Sequence, residues 1–254
     1  MTTVPVPPPA PEAPPLSAGA RIVNTFIAPS KTFTDLKRKS GWWVPWILIS
    51  VISLAFIYTM GREVGFDQIS KNEIAKNPKQ AERIEQLPPD QKAGAMQLST
   101  TITRISSYVT PAIILLIWVI IAALLMGTFN LGAGADVRFK TCLGIVAYGG
   151  LPGIFHALLG ILSLVVGATS GSLDKEAFNV RNPVATNPAY FMDPTANKFL
   201  YGMASALDIF AIWTIVLVGI GFACNSKVKR GTAIGIVAGW YLVYKLIFSA
   251  LGWV

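Results

Sequence analysis

Apolar residues gather in five blocks along the chain, over 42–60, 107–130, 142–168, 199–224 and 232–253, with polar, Pro-rich or charged stretches between them. At 1.5 Å per residue, about 20 helical residues cross roughly 30 Å of hydrocarbon, and each block is near or above that length. The pattern predicts an all-α integral membrane protein with five transmembrane helices.

Charge beside the blocks predicts how they are oriented. The last two are joined by residues 225–231, where Lys227, Lys229 and Arg230 have no acid to offset them, so this short link reads as a cytoplasmic turn. Residues 131–141 carry Arg138 and Lys140, and residues 20–41 carry Arg21, Lys31, Lys37, Arg38 and Lys39. These three segments hold ten Lys/Arg against Asp35 and Asp136; the stretches 61–106 and 169–198 also hold ten, but with nine acids and over more residues. Lys/Arg density in short segments flanking the spans sets orientation, which places the N-terminus in the cytoplasm and the C-terminus outside.

The polar stretches carry their own signals. Residues 1–19 contain seven prolines and no apolar core, which predicts a disordered or polyproline-like tail rather than a cleavable signal peptide. A tether is its simpler role, a PxxP ligand the alternative. Over 20–40, Ile22, Phe26, Ile27, Phe33 and Leu36 fall at helical spacings among Lys31, Lys37, Arg38 and Lys39. Two readings stay open: a helix lying in the headgroup layer with its rings in lipid, or an ordinary juxtamembrane cationic cluster. Trp42, Trp43 and Trp46 mark the interface where the first span enters. In the first large loop Asn77-Pro78 opens a short helix. Pro88-Pro89 ends it and opens another, whose Ala95, Leu98, Ile102 and Ile105 share a face as it runs into the second span. Residues 169–198, broken by Asn and Pro, read as an irregular loop.

Gly231, Gly235 and Gly239 recur every four residues, a ridge without side chains along one face of the fifth span. Such a ridge lets a neighbouring backbone come close, so the expectation is that it packs on another helix, the third or fourth span first.

Composition supports the membrane reading: 53% of the 254 residues are hydrophobic and only 13% charged. The net charge of +8 lies beside the spans and is not interleaved with exposed aromatics, which argues for contact with anionic lipid and against nucleic acid. Two cysteines and one histidine offer no metal-ligand spacing, and no cofactor is expected. Both Cys142 and Cys224 fall on the cytoplasmic side of this topology, as reduced thiols.

With these elements in place, several motifs together resemble a known family. Phe-Ile-Ala-Pro-Ser-Lys-Thr-Phe (26–33), Trp-Trp-Val-Pro-Trp (42–46), five spans and a polar first loop are similar to the bacterial branch of the Yip family, the Ypt-interacting proteins. Ala147-Tyr148-Gly-Gly-Leu-Pro152 resembles the Gly-Tyr-x-x-x-Pro stretch at the third span of eukaryotic members. Asn182-Pro-Val-Ala-Thr-Asn-Pro188 and Leu207-Asp-Ile-Phe-Ala-Ile-Trp213 resemble what bacterial members carry before and within the fourth. The likeness covers roughly 20–254, as one five-span domain, and implies residence in a bacterial inner membrane. Eukaryotic members bind prenylated Rab-type GTPases at the ER and Golgi. This chain lacks their acidic Asp-Leu-Tyr-Gly-Pro stretch, so fold and membrane residence carry over and GTPase binding does not.

Motifs of hydrolases, metalloproteases and nucleotide-binding loops are absent, and an intramembrane protease would need a Ser-His pair or paired aspartates within spans, where only Asp208 lies. Two functions remain: a non-enzymatic scaffold or adaptor acting through helix packing and contacts with lipids, membrane-protein partners or further copies, or a small transporter or channel subunit. The second draws on three ionisable residues inside spans, His156, Asp208 and Lys245, since such residues are costly there. Counted from the outer helix ends they lie about 18, 13 and 12 Å deep. The expectation is that Asp208 and Lys245 pair, with His156 beside them, as a latch or the lining of an outward-facing polar cavity. The plainer alternatives are that Lys245 snorkels outward, Asp208 sits at the interface because its helix starts late, and His156 merely bonds a carbonyl.

Overall fold

The structure, a computed structural model, describes residues 14–252; most of the Pro-rich tail, residues 1–13, and the last two residues, with the expected end of the fifth span at Trp253, lie outside the described residues. All helices but two short turns are α: α1 (Ala18–Ile27), α2 (Pro29–Arg38), α3 (Trp43–Glu63), α4 (Phe66–Ala75), α5 (Pro78–Glu85), α6 (Pro89–Tyr108), α7 (Thr110–Gly127), α8 (Phe139–Gly149), α9 (Gly153–Ser170), α10 (Lys198–Ser205), α11 (Ile209–Asn225) and α12 (Arg230–Ala250). Prolines open α2, α5 and α6, where the first-turn N–H groups have no intrahelical acceptor to lose.

Four stretches are continuous enough in helix, long enough and apolar enough to cross a membrane: Trp43–Glu63, Thr110–Gly132, Phe139–Ser170 and Arg230–Ala250. The third joins α8 and α9 across Gly150-Leu151-Pro152, where proline supplies no N–H. It ends at Gly171, whose φ of 72° is the left-handed conformation that glycine adopts without a Cβ clash. The expected fourth span, 199–224, is not one helix. It is the pair α10 and α11, bent by 54° at the three residues between them, so the chain has five crossings only if this pair counts as one.

At one end of the bundle, α2 packs against α8 and the end of α11, while α1, packed on α2, reaches further along the bundle and sets Phe26 on Phe155 and Trp213. Ser17 caps α1, accepting the Ala20 N–H at 3.2 Å, so helix begins inside the stretch assigned to the tail. Phe33 and Leu36 are fully buried among Cys142, Ile145 and Phe222, and Phe129 stacks on Phe222 with ring centroids 4.3 Å apart. Of the two open readings, rings in lipid fails for α2, whose apolar side is core; Val23 and Ile27 are the large apolar side chains of α1 that stay exposed. Polar bonds clamp the same joint. The Asn225 amide donates to the Phe33 carbonyl at 2.9 Å, Arg230 donates to Ser30 at 3.0 Å, and the Ser40 and Thr141 hydroxyls lie 2.9 Å apart. Arg21 and Asp35, both almost fully buried, pair at 2.6 Å between α1 and α2.

At the other end the two large loops dock onto each other. Unforeseen in the sequence, α4 packs on α6 and, with α3, α9 and Phe178, forms a second small core. The Asn72 amide donates to the Lys175 and Phe178 carbonyls at 2.8 and 3.0 Å, joining α4 to the loop after α9. Helix α6 runs on into α7 after Val109 alone, and its Leu98, Ile102 and Ile105 are exposed.

The glycine ridge is a correction. A side chain built at Gly231, Gly235 or Gly239 would meet nothing within 4 Å. Helix α12 packs on α11 and α10 through another face, with Ala233 and Val237 buried. Two residues along a helix turn by about 200°, so the ridge at 231, 235 and 239 points nearly opposite to Ala233 and Val237. The glycine that permits close approach lies on the partner: a Cβ at Gly219 of α11 would sit 2.6 Å from the Ile234 Cα. Gly149 and Gly221 are crowded likewise, by Val218 and by Ile145 with Phe33.

Candidate functional site

The break between α10 and α11 opens a cavity of about 560 Å³. Its floor is α9 at Gly153 and His156 and α11 at Phe210 and Thr214; its wall is α12 at Tyr241 and Lys245; and Arg181, Asn182 and Asn187 reach over it from the loop before α10. His156, Asp208 and Lys245, which lie in three separate blocks of the sequence, all line it.

Asp208 is where it is because a helix starts there. Its φ and ψ are extended, and its Oδ1 accepts the Phe210 and Ala211 N–H groups, each at 3.0 Å, which makes it the N-cap of α11. Its Oδ2 accepts the Thr186 hydroxyl and, at 3.5 Å, the Asn187 amide. The Thr186 carbonyl in turn accepts the Ile209 N–H at 3.2 Å. The segment Asn182–Asn187 is itself folded by reciprocal bonds between the Asn182 and Asn187 amides, and Asn182 and Asn179 both donate to the Tyr201 hydroxyl on α10. The Asn-Pro-Val-Ala-Thr-Asn-Pro run is thus a strap that ties the loop to the start of α11.

Lys245 reaches the other side of the break. Its Nζ donates to Ser205 Oγ at 2.9 Å and lies 5.9 Å from the centre of the Tyr241 ring, while the Tyr241 hydroxyl donates to the Ala206 carbonyl at 3.2 Å. These bonds tie the Ser205 hydroxyl and the Ala206 carbonyl, at the end of α10, to α12. The expected ion pair is corrected accordingly: Asp208 and Lys245 share the cavity but make no salt bridge, because the carboxylate is taken by the α11 amides and the strap. His156 stands edge-on to Phe210, ring centroids 5.9 Å apart, and takes no hydrogen-bond partner among the described residues.

Sequence reasoning missed Tyr201, Ser205, Arg181 and Tyr241 as parts of this site. The available signal was Leu207-Asp208-Ile209, an N-cap residue just ahead of an apolar run, which marks a helix start inside the fourth block. In the same loop, the Thr195 hydroxyl and N–H hold the exposed Asp193 carboxyl below its usual pKa.

The remaining expected sites fall elsewhere. Tyr148 is buried in α8 and directed at Arg21 and Asp35, so this residue of the third-span motif supports the docking of α1. Pro152 stands at the α8–α9 break. Lys31, Lys37, Arg38 and Lys39 are exposed on α2 and just beyond it. Trp43 is exposed, whereas Trp42 is half-buried against Trp46, whose indole N–H donates to the Pro111 carbonyl at 3.0 Å. No group of three or more His, Cys, Asp or Glu among the described residues is placed to hold a metal.

Neither a curated protein nor a solved structure matches the chain significantly. A family model, however, that of the Yip1 domain, matches residues 23–251. That span runs from α1 to the end of α12 and takes in the docked helices, the strap and the cavity. This multi-pass helical membrane protein belongs to the Yip1 domain family.

Proposed function

We propose that the chain is a non-enzymatic scaffold or adaptor of the Yip type in a bacterial inner membrane, with the α1–α2 end in the cytoplasm. The observation that carries this reading is the docking of α1 and α2. They are clamped to the spans through Phe33, Leu36 and Asn225, while Lys31, Lys37, Arg38 and Lys39 point outward on a rigid platform. Fixed cations beside the spans suit anionic headgroups and an acidic face on a membrane-protein partner. The open glycine face of α12 leaves room for a second helix, from a partner or another copy.

The test replaces Lys31, Lys37 and Lys39 together by Gln in the intact protein. Expected is weaker, less salt-dependent association with anionic vesicles and loss of a defined photo-crosslink from the exposed position 34 to a membrane protein. Unchanged association and crosslinking would overturn the platform.

The cavity favours a second reading, a small transporter or channel subunit. It ends, however, on α11 at Thr214, one turn before Leu217 and Val218, which are buried. From there to the α2 end the interior is packed side chains. Protein-dependent solute flux in liposomes would replace the scaffold reading with this one.

A further inference from the structure

The donors and acceptors in the cavity are unequal in number. Asp208, the only carboxylate lining it among the described residues, already accepts from four donors, about the full capacity of its two oxygens. It has nothing left for a ligand amine. The cationic side keeps donors in reserve. Lys245 uses one of three ammonium N–H groups on Ser205, Arg181 at the mouth pairs with Glu73 through Nε at 3.4 Å and keeps its terminal guanidinium N–H groups for another acceptor, and His156 has no hydrogen-bond partner among the described residues. These groups rise from three different elements toward one space.

We propose that this cavity is a binding site for a phosphate-type anion, held by Lys245 and Arg181 with His156 beneath it. An anion there gives the half-buried ammonium a counter-charge in direct contact, where the Asp208 carboxylate acts on it only from beyond salt-bridge distance. Phosphate suits the donor set, since Arg presents a planar fork of N–H groups and Lys a point charge. Tyr244 and Phe248, rings 4.5 Å apart, line the same cavity and offer an apolar flank. Both a lipid headgroup and free phosphate carry the required chemistry. The proposal rests on the cavity and not on the scaffold reading, so either can fail without the other.

The experiment is a thermal-shift titration of the full-length protein in an uncharged detergent with dihexanoyl phosphatidylglycerol, dihexanoyl phosphatidylcholine or sodium phosphate. Wild type is compared with Lys245→Met, Lys245→Arg and Arg181→Gln. Expected is a saturable rise in melting midpoint with phosphatidylglycerol, kept by Lys245→Arg and weakened roughly tenfold in apparent affinity by Lys245→Met. If sodium phosphate gives the same rise with the same dependence on Lys245, the site stands and its ligand is the free anion. Because Lys245 also bonds Ser205, Lys245→Met could fail to fold; Arg181→Gln, on an exposed loop residue, then decides, and must weaken binding. No rise with either anion, an equal rise with the zwitterionic lipid, or an affinity unchanged in the variants would overturn the proposal.

Discussion

Gly219 and Gly235 are both glycines in apolar helices, yet they do opposite things. The backbone of α12 lies against the first and open space against the second. The same substitution should therefore separate them. Gly219→Ala places a methyl 2.6 Å from the Ile234 Cα and 2.9 Å from its N, neither of which can swing aside. Expected is a loss of about 1–3 kcal/mol in detergent unfolding, while Gly235→Ala changes the monomer by no more than about 0.5 kcal/mol apart from the helix-propensity gain. Equal effects would place the ridge in a contact. The Arg21–Asp35 pair is the second residue-scale case. Both partners are almost fully buried, so Arg21→Met leaves a stranded carboxylate and should cost about 3–5 kcal/mol. The double variant Arg21→Met with Asp35→Leu should recover only part of this, because the Leu16 N–H, which donates to Asp35, then loses its acceptor. Denaturant titration of the two variants side by side checks both statements.

Among elements, the break between α10 and α11 is decisive. A continuous helix over 199–224 would have put Asp208 on a lipid- or helix-facing surface as an unpaired charge. A helix start puts the same carboxylate on two free N–H groups, which is a favourable place for a negative charge. Asp208→Ala should thus cost about 1 kcal/mol as a lost cap, and hydrogen exchange should speed up at Phe210 and Ala211 and in the 182–187 strap. Asp208→Asn should keep most of the stability, since asparagine caps about as well. Exchange confined to α11, with the strap unaffected, would mean that the strap holds without Asp208. The α1–α2 pair makes a related point, since an amphipathic helix with cations on one face reads equally as lying on lipid or on protein. Burial of Phe33 and Leu36 decides for protein.

For the whole molecule, the three cation-rich segments meet at one end and the two long loops at the other. Ser40 touches Thr141 and Arg230 touches Ser30 at the first, and Asn72 reaches Lys175 at the second. This alternation is what five crossings require, with α10 and α11 counted as one. With Cys142 and Cys224 replaced, Lys229→Cys should be labelled by an impermeant thiol reagent only after the membrane is opened. Asp193→Cys should be labelled in intact cells. The reverse pattern would invert the orientation.

Block lengths and the spacing of apolar residues were enough to read the helical membrane class, the four continuous spans and the α5 and α6 starts at Pro78 and Pro89. Hydrophobic length and proline geometry are local properties, written in consecutive residues. The resemblance at Tyr148–Pro152 and Asn182–Pro188 pointed to the family, though not to what those residues touch. Tertiary structure alone decided which face of each helix is covered. The ridge at 231, 235 and 239 and the crowded Gly219 look alike in sequence, because a glycine records only a missing side chain and not whether a neighbour fills the space. It also decided that His156, Asp208 and Lys245 meet in one cavity without an ion pair. Depth and helical phase bring charges to the same level, but a carboxylate bonds whatever donors lie nearest, and a helix start supplies two at once.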